Sequence, residues 1–335
     1  MSNKLKLDFR QGLRRWARLE PRVRPLRPSK MKGIGLPAGV YEVQSGFLMG
    51  ARLSKSRRQV SRLAVREFEP GALSAVSCLS NIPNPEALSE TLRALEAALG
   101  SSKGPLGLLI PDPLVRVGIL EFETLPGDTK DQEALIQWKM KPLLPFPAEE
   151  ARLSYEILHQ EEGRVEVMVL AARNSILAEY ETSVEALGGE ITLVLPATLA
   201  LLPLLDENAE RGELLLHVWP GGLTAVVAGG GRIRMWRSQA AQWNLPEDCL
   251  KAVGQETARI LAGAQDHLRL EIGRICLCVR PPVPEEWVRD LGKSISREVQ
   301  VLIADAACAG SLSSEERELL RYFGAPLAGL LGNAA

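Results

Sequence analysis

The stretch GVYEVQSGFLMGARL, residues 39–53, reads as two apolar strands joined by a turn at Gly46, and a third strand follows over 59–68. Together they predict an antiparallel meander, with the polar 54–58 segment as its second turn. A helix comes next, because Leu88, Leu92, Leu95 and Leu99 follow the 3.6-residue period. Asn84 is placed to cap it, Pro85 suits its first turn and Gly100 stops it. An apolar strand over 106–110 closes the round. The stretch ELLLHVWPGGLTAVVA, residues 213–228, opens the same order again. Strands at 214–218, 223–228 and 232–237 are separated by glycine turns, and a helix at 248–264 leads to a strand at 274–279. A second helix, with Trp287, Leu291 and Ile295 on one side, precedes a last strand at 299–303. Three antiparallel strands, a helix and a strand, occurring twice, predict two related α/β lobes rather than one doubly wound sheet. Residues 114–187, between the rounds, carry strands and helices of their own and read as an inserted subdomain.

The composition suits this plan. A chain of 335 residues, 46% hydrophobic, can bury a core in each lobe and is not a disordered polymer. Its longest apolar run, 193–205, is interrupted by two prolines and falls short of the ~20 residues that cross a bilayer. No secretory signal is visible. Five cysteines form no CxxC pair, and Cys276 and Cys278 fall on one face of a strand as small core residues. His159, His217 and His267 lie far apart, so the expectation is a cytoplasmic chain without a metal.

Charge is uneven. Residues 1–32 hold eleven Lys or Arg against Asp8 and Glu20, a net +9, whereas the rest of the chain, with 29 basic and 39 acidic residues, is −10. Leu5, Phe9, Leu13 and Trp16 line one face of a helix there, with Arg10 and Arg14 on other sides. Such a helix suits an anionic membrane surface; packing on the acidic body, or a basic tail, are the alternatives. Low aromatic content and the lack of a reading motif argue against nucleic acid. Pro21, Pro25 and Pro28 then make a linker.

Four further phrases carry a family likeness. IQWKMKPLLPFP (136–147) is followed by LSYEIL (153–158), then by VMVLAAR (167–173), while FEPGAL (68–73) ends the third strand of the first round. In this order they resemble PilM, the cytoplasmic type IV pilus assembly protein, whose fold is that of the actin-like ATPases and whose insertion is similar to that of FtsA. The likeness covers about residues 36–332. It implies an α/β chain of two actin-like (RNase H-like) lobes with an inserted α+β subdomain in the first. The expected divisions are a basic segment and linker at 1–35, the first lobe at 36–113 and 189–212, and the insertion at 114–188. The second lobe takes 213–310, and C-terminal helices at 311–335 pack back on the first.

In actin-like ATPases two β-hairpins hold the phosphates, each with an Asp near Mg²⁺ or water and a Gly that lets the backbone approach. Here the first hairpin offers Glu42 and Ser45 in a Tyr-Glu-Val-Gln context, and the second places His217 and Trp219 where Asp and Gly belong. The adenosine turn reads Cys-Val-Arg-Pro-Pro, with Arg280 and Pro281 in place of glycines. Proline removes a donor and the freedom for positive φ. Nucleotide and Mg²⁺ are therefore not expected; the alternative is that Arg280 or Arg232 still holds a phosphate ligand. No GxxxxGK[ST] or GxSxG motif occurs, the 229–231 glycines read as a hairpin turn, and acidic pairs such as Glu149 and Glu150 read as solvated turns.

The resemblance implies a non-catalytic scaffold at the cytoplasmic face of the inner membrane. It would bind the N-terminal tail of a PilN-like membrane protein in a groove beside the insertion and link it to the cytoplasmic assembly ATPase. The groove walls are expected near 136–146 and along the 167–173 strand. Trp138 and Met140 on a helix, Leu143, Leu144 and Phe146 presented by a turn that three prolines stiffen, and Arg173 are the expected partner residues. Two other readings stand beside it: an active actin-like ATPase or sugar-kinase-like phosphotransferase, and the cytoplasmic part of a secretion-system L protein. The absence of a span before Ala335 counts against the latter.

Overall fold

The computed structural model describes residues 36–332 except residue 57 and the segments 68–72, 101–103, 207–208 and 242–248. The N-terminal stripe (Leu5, Phe9, Arg10, Leu13, Arg14, Trp16) and most of FEPGAL lie outside the described residues.

Two five-stranded sheets carry the chain. In the first, β1 (Gly39–Val43), β2 (Phe47–Leu53), β3 (Val60–Glu67), β4 (Pro105–Ile110) and β8 (Glu190–Pro196) run in the order β3-β2-β1-β4-β8. The second, from β9 (Gly212–Trp219), β10 (Gly222–Gly229), β11 (Arg232–Ala240), β12 (Ile272–Val279) and β13 (Gln300–Val301), repeats it as β11-β10-β9-β12-β13. In both, the meander is antiparallel and the fourth strand joins the first in parallel. That parallel pairing needs a crossover, and a helix supplies it each time. The first crossover contains α1 (Pro85–Leu99), whose N-terminus is capped by the Asn84 side chain accepting from the Ala87 amide at 3.1 Å. Its Leu88, Leu92, Leu95 and Leu99 are buried. Gly50 on β2 admits them closely, since a Cβ there would meet Leu99 at 2.5 Å. Strand β1 is buried along its whole length, as expected of a central strand covered on both faces.

In the second lobe α5 (Leu250–Leu268) and α6 (Glu285–Ile295) cover one face of the sheet with Val253, Ile260, Trp287 and Leu291. Strand β12 sends Ile275, Leu277 and Val279 to those helices, while Cys276 and Cys278 join the core shared with the first lobe. The two lobes therefore have a common apolar interior. The final strand is shorter than the 299–303 expected, because only Gln300 and Val301 pair with β12 before the chain leaves the sheet.

The insertion is a three-stranded sheet, β5 (Val115–Phe122), β7 (Arg164–Arg173) and β6 (Ala151–Glu161), in the order β5-β7-β6. Helix α2 (Thr129–Met140) lies on it, with Ile136 and Met140 packed against Leu120, Phe122, Val165 and Val167. It ends at Arg173 rather than near 188, because α3 (Asn174–Glu185) buries Ile176, Leu177, Tyr180 and Val184 in the core of the first lobe. Three helices complete that lobe: α4 (Ala197–Leu201), α7 (Ser314–Phe323) and α8 (Ala325–Gly332). Helix α7 reaches β3, where the Glu316 carboxylate accepts from the Leu63 amide at 3.2 Å. Helix α8 meets α4 so closely that a Cβ on Gly329 would lie 1.9 Å from the Ala200 carbonyl oxygen. Among the described residues no helix is long and apolar enough to cross a membrane.

Candidate functional site: the cleft between the lobes

The C-terminal ends of β1 and β4 face those of β9 and β12, and side chains from all four elements fill the space between them. Such crevices at strand C-termini are where open α/β sheets bind ligands. Here Arg280, just after β12, makes a two-pronged ion pair with Glu42 on β1: Nη1 donates to Oε2 and Nη2 to Oε1, both at 2.6 Å. Both residues are sealed from solvent, at 1% and 0% exposure. Gln44 donates to Glu42 Oε1 at 2.9 Å. Arg280 Nη1 also reaches the Phe323 carbonyl at 3.3 Å, and its guanidinium lies 5.5 Å from the Phe47 ring centroid.

A second pair crosses the other way. His217 on β9 sits 3.0 Å, Nδ1 to Oδ2, from Asp112, which follows β4. Its Nε2 lies 3.1 Å from Arg280 Nη2. A guanidinium only donates, so Nε2 is the acceptor, and Nδ1 carries the proton and donates to Asp112. Asp112 Oδ1 accepts from the Thr198 amide at 2.9 Å, while Oδ2 accepts from the Thr198 hydroxyl and, at 3.0 Å, from that of Thr224. Thr224 is in turn 2.7 Å from Ser238 on β11.

These partners set the charges. Burial disfavours the ionised Asp112, yet the hydrogen bonds from His217 and Thr198 outweigh it and hold the carboxyl below its ordinary value. Burial likewise opposes the Arg280 cation, and the Glu42 carboxylate overcomes it and raises the guanidinium pKa. Burial pushes the neighbouring Cys278 thiol up to about 11, so it stays protonated.

The hairpin turns close over this network. A Cβ on Gly46, in the β1–β2 turn, would contact Pro220 of the β9–β10 turn at 3.5 Å. Trp219 is buried beside His217, with ring centroids 5.3 Å apart, and its indole covers Gly222. Ser45 and Pro281 are half-buried at the rim. The structure thus brings Glu42, His217 and Arg280 together and adds Asp112, Thr198, Thr224 and Gln44, which sequence reasoning passed over. One signal was available: Asp112 is the first charged residue after an apolar strand, at the end where ligands bind. Arg232 lies elsewhere, its Nη1 donating to Glu166 of the insertion at 2.6 Å. Among the described residues no group of three His, Cys, Asp or Glu could hold a metal.

The expected partner residues separate into two sets. Trp138 is 71% exposed and Leu143 50% exposed, with Leu144 half-buried beside them. Met140 and Phe146 are buried, which corrects the expectation that a ligand would touch them. The reason is helical geometry: Ile136 and Met140, four apart, face the sheet, and Trp138, two residues from each, points away. The 167–173 strand is no groove wall either, since β7 is the central strand and is buried except at its ends. Its last residue, Arg173, ties the insertion to the first lobe, donating to Glu150 at 2.6 Å and to the Cys78 carbonyl at 2.7 Å.

No protein-family model and no curated protein sequence matches the chain. Among solved structures, a chain of the PilM-PilN type IV pilus biogenesis complex superposes with a TM-score of 0.75 at 20% identity, over 89% of this chain and 98% of that one. A Bacteroides thetaiotaomicron protein of actin-like ATPase fold and unknown function gives 0.48 at 11% identity, over 78% and 89%. The cytoplasmic domain of EpsL, an inner-membrane component of the Vibrio cholerae type II secretion system, gives 0.45 at 12%, over 74% and 83%. With two sheets of identical strand order and a three-stranded insertion in the first lobe, the chain has the actin-like fold in the form seen in the PilM-PilN complex.

Proposed function

We propose that the chain is a non-catalytic scaffold of a type IV pilus-like assembly machine. It works peripherally at the cytoplasmic face of the inner membrane, holds the N-terminal tail of a PilN-like membrane protein, and links that protein to the cytoplasmic assembly ATPase. One observation carries the reading: in a fold similar to that of a PilM-PilN complex chain, the space between the hairpins that would cradle phosphates is occupied by the Glu42–Arg280 pair. Among the described residues the carboxylates at this cleft, Glu42 and Asp112, are both engaged by side chains of the opposite lobe. The tail's site includes the exposed Trp138 on α2 and Leu143 on the stiffened turn that follows it, an aromatic and an aliphatic anchor.

The test is fluorescence anisotropy with a labelled N-terminal peptide of a PilN-like protein. Trp138→Ala and Leu143→Glu, both at exposed positions, should leave the melting curve unchanged and weaken binding about tenfold or more. Wild-type affinity in both variants defeats the assignment of the surface. Millimolar MgATP should leave Tm unchanged; a rise of several degrees defeats the non-catalytic half, because any ligand of the folded state stabilises it.

A further inference from the structure

The two rounds of the fold contribute equivalent positions to the cleft, and their pairs are crossed. Strand β1 and strand β9 hold the same place in their sheets, as do β4 and β12. Glu42 of β1 pairs with Arg280 after β12, and His217 of β9 pairs with Asp112 after β4. Each pair therefore joins one lobe to the other, and the Arg280–His217 contact joins the pairs. Four of the five guanidinium N–H groups are used: two on Glu42, one on His217 and one on the Phe323 carbonyl, with Nε alone unpartnered. Phe47 and Phe323 pack edge to face, ring centroids 5.2 Å apart, beside the pair.

We propose that Glu42 is the permanent occupant of an anion site built by Arg280, and that this internal carboxylate clamps the two lobes in one closed setting without any ligand. A guanidinium with two parallel N–H groups aimed into a dry cleft is a receptor for a planar oxyanion, and the chain supplies that anion from the opposite lobe. The clamp is directional: rotating either lobe lengthens both 2.6 Å bonds together and leaves a buried charge uncompensated. The contact between the turns at Gly46 and Pro220 depends on the same setting. This goes beyond the scaffold reading and does not depend on which partner the scaffold holds.

Chemical rescue tests it. Glu42→Ala should lower Tm by about 5–15 °C and raise amide hydrogen exchange in both turns, 44–47 and 219–222, although they are far apart in sequence. Sodium formate at about 100 mM should restore part of Tm and the protection of both turns, whereas sodium chloride at equal concentration should not. Formate should leave the wild-type protein unchanged. Should the alanine variant fail to fold, Glu42→Gln keeps the shape and removes the charge; it should open both turns and, with its pocket still filled, show no rescue. Wild-type exchange at the turns in whichever variant is folded, or equal rescue of Glu42→Ala by chloride, overturns the clamp.

Discussion

Replacing Asp112 measures the proton arrangement of the cleft. Its carboxylate accepts from the Thr198 amide, the Thr198 hydroxyl, His217 Nδ1–H and the Thr224 hydroxyl. In Asp112→Ala the hydroxyls can turn elsewhere, Thr224 to Ser238 at 2.7 Å, but the Thr198 amide and one further donor stay buried without an acceptor. Two orphaned donors at roughly 1–3 kcal/mol each put the loss near 3–5 kcal/mol. Asparagine separates this account from simple cavity formation. Its oxygen at Oδ1 still accepts from the Thr198 amide, while its nitrogen at Oδ2 can donate to the Thr198 or Thr224 hydroxyl. That nitrogen loses the bond from His217 Nδ1–H, for which the Thr198 hydroxyl, 2.7 Å from Nδ1, remains an acceptor. Asp112→Asn should therefore cost about 1–2 kcal/mol, between wild type and the alanine variant, despite being nearly isosteric. Thr224→Val, which removes one accommodating hydroxyl, should cost only about 1 kcal/mol. Urea denaturation followed by circular dichroism gives the ranking, with equal m-values showing that folded and denatured states are otherwise unchanged. An asparagine variant indistinguishable from wild type beside a weakened alanine variant would refute the hydrogen-bond account, because cavity formation alone would then explain the alanine loss.

Four further outcomes follow from the structure. Asp112 is held below its ordinary 3.8, so its contribution is complete above that value and is lost as pH falls through the folded pKa; wild-type stability should drop more steeply on acidification below 3.8 than that of Asp112→Asn. Gly329→Ala should destabilise by about 1–3 kcal/mol, because the new methyl meets the Ala200 carbonyl, whereas Gly263→Ala on α5, with its nearest neighbour at 3.9 Å, should stabilise by about 0.5–1 kcal/mol in the same thermal melts. Glu166→Ala should cost about 1–3 kcal/mol and raise hydrogen exchange along β11, since it strips the partner from Arg232 at the seam of the insertion and second lobe.

Local chemistry made most of the fold legible. The apolar strands, the Asn84 cap, the leucine period of α1 and the glycine turns each act within a few residues, and a repeat of the whole round reveals two lobes. The insertion's far boundary was not legible, because α3 continues directly from β7 with no break in composition; only its burial against the first lobe assigns it. Met140 illustrates a similar limit. It and Trp138 both read as partner residues, and the phase that turns Ile136 and Met140 inward, and so Trp138 outward, is set by the sheet beneath. The cleft was half readable. Unusual residues at Glu42, His217 and Arg280 marked this cleft as departing from the nucleotide-site pattern of the family it resembles, but not which contacts they make with one another. Asp112 lies 86 residues from Thr198, 105 from His217 and 112 from Thr224, so no spacing pattern could join them.

The choice of an ion pair over an apolar filling for this cleft has a physical reason. Well-packed hydrophobic residues would hold the lobes together at least as strongly, since desolvation offsets much of a buried pair's attraction. Apolar contacts, however, tolerate sliding, and the cleft is bounded by strand ends and turns whose polar groups need partners wherever the lobes rest. The Phe323 carbonyl and His217 Nδ1–H are two such groups, and Arg280 and Asp112, each from the opposite lobe, satisfy them in the closed setting. Misalignment would leave them unpaired together with two charges, so the penalty rises steeply on either side of one geometry. Stability thus comes from the shared apolar core, and the crossed pairs select which arrangement of the lobes that core supports.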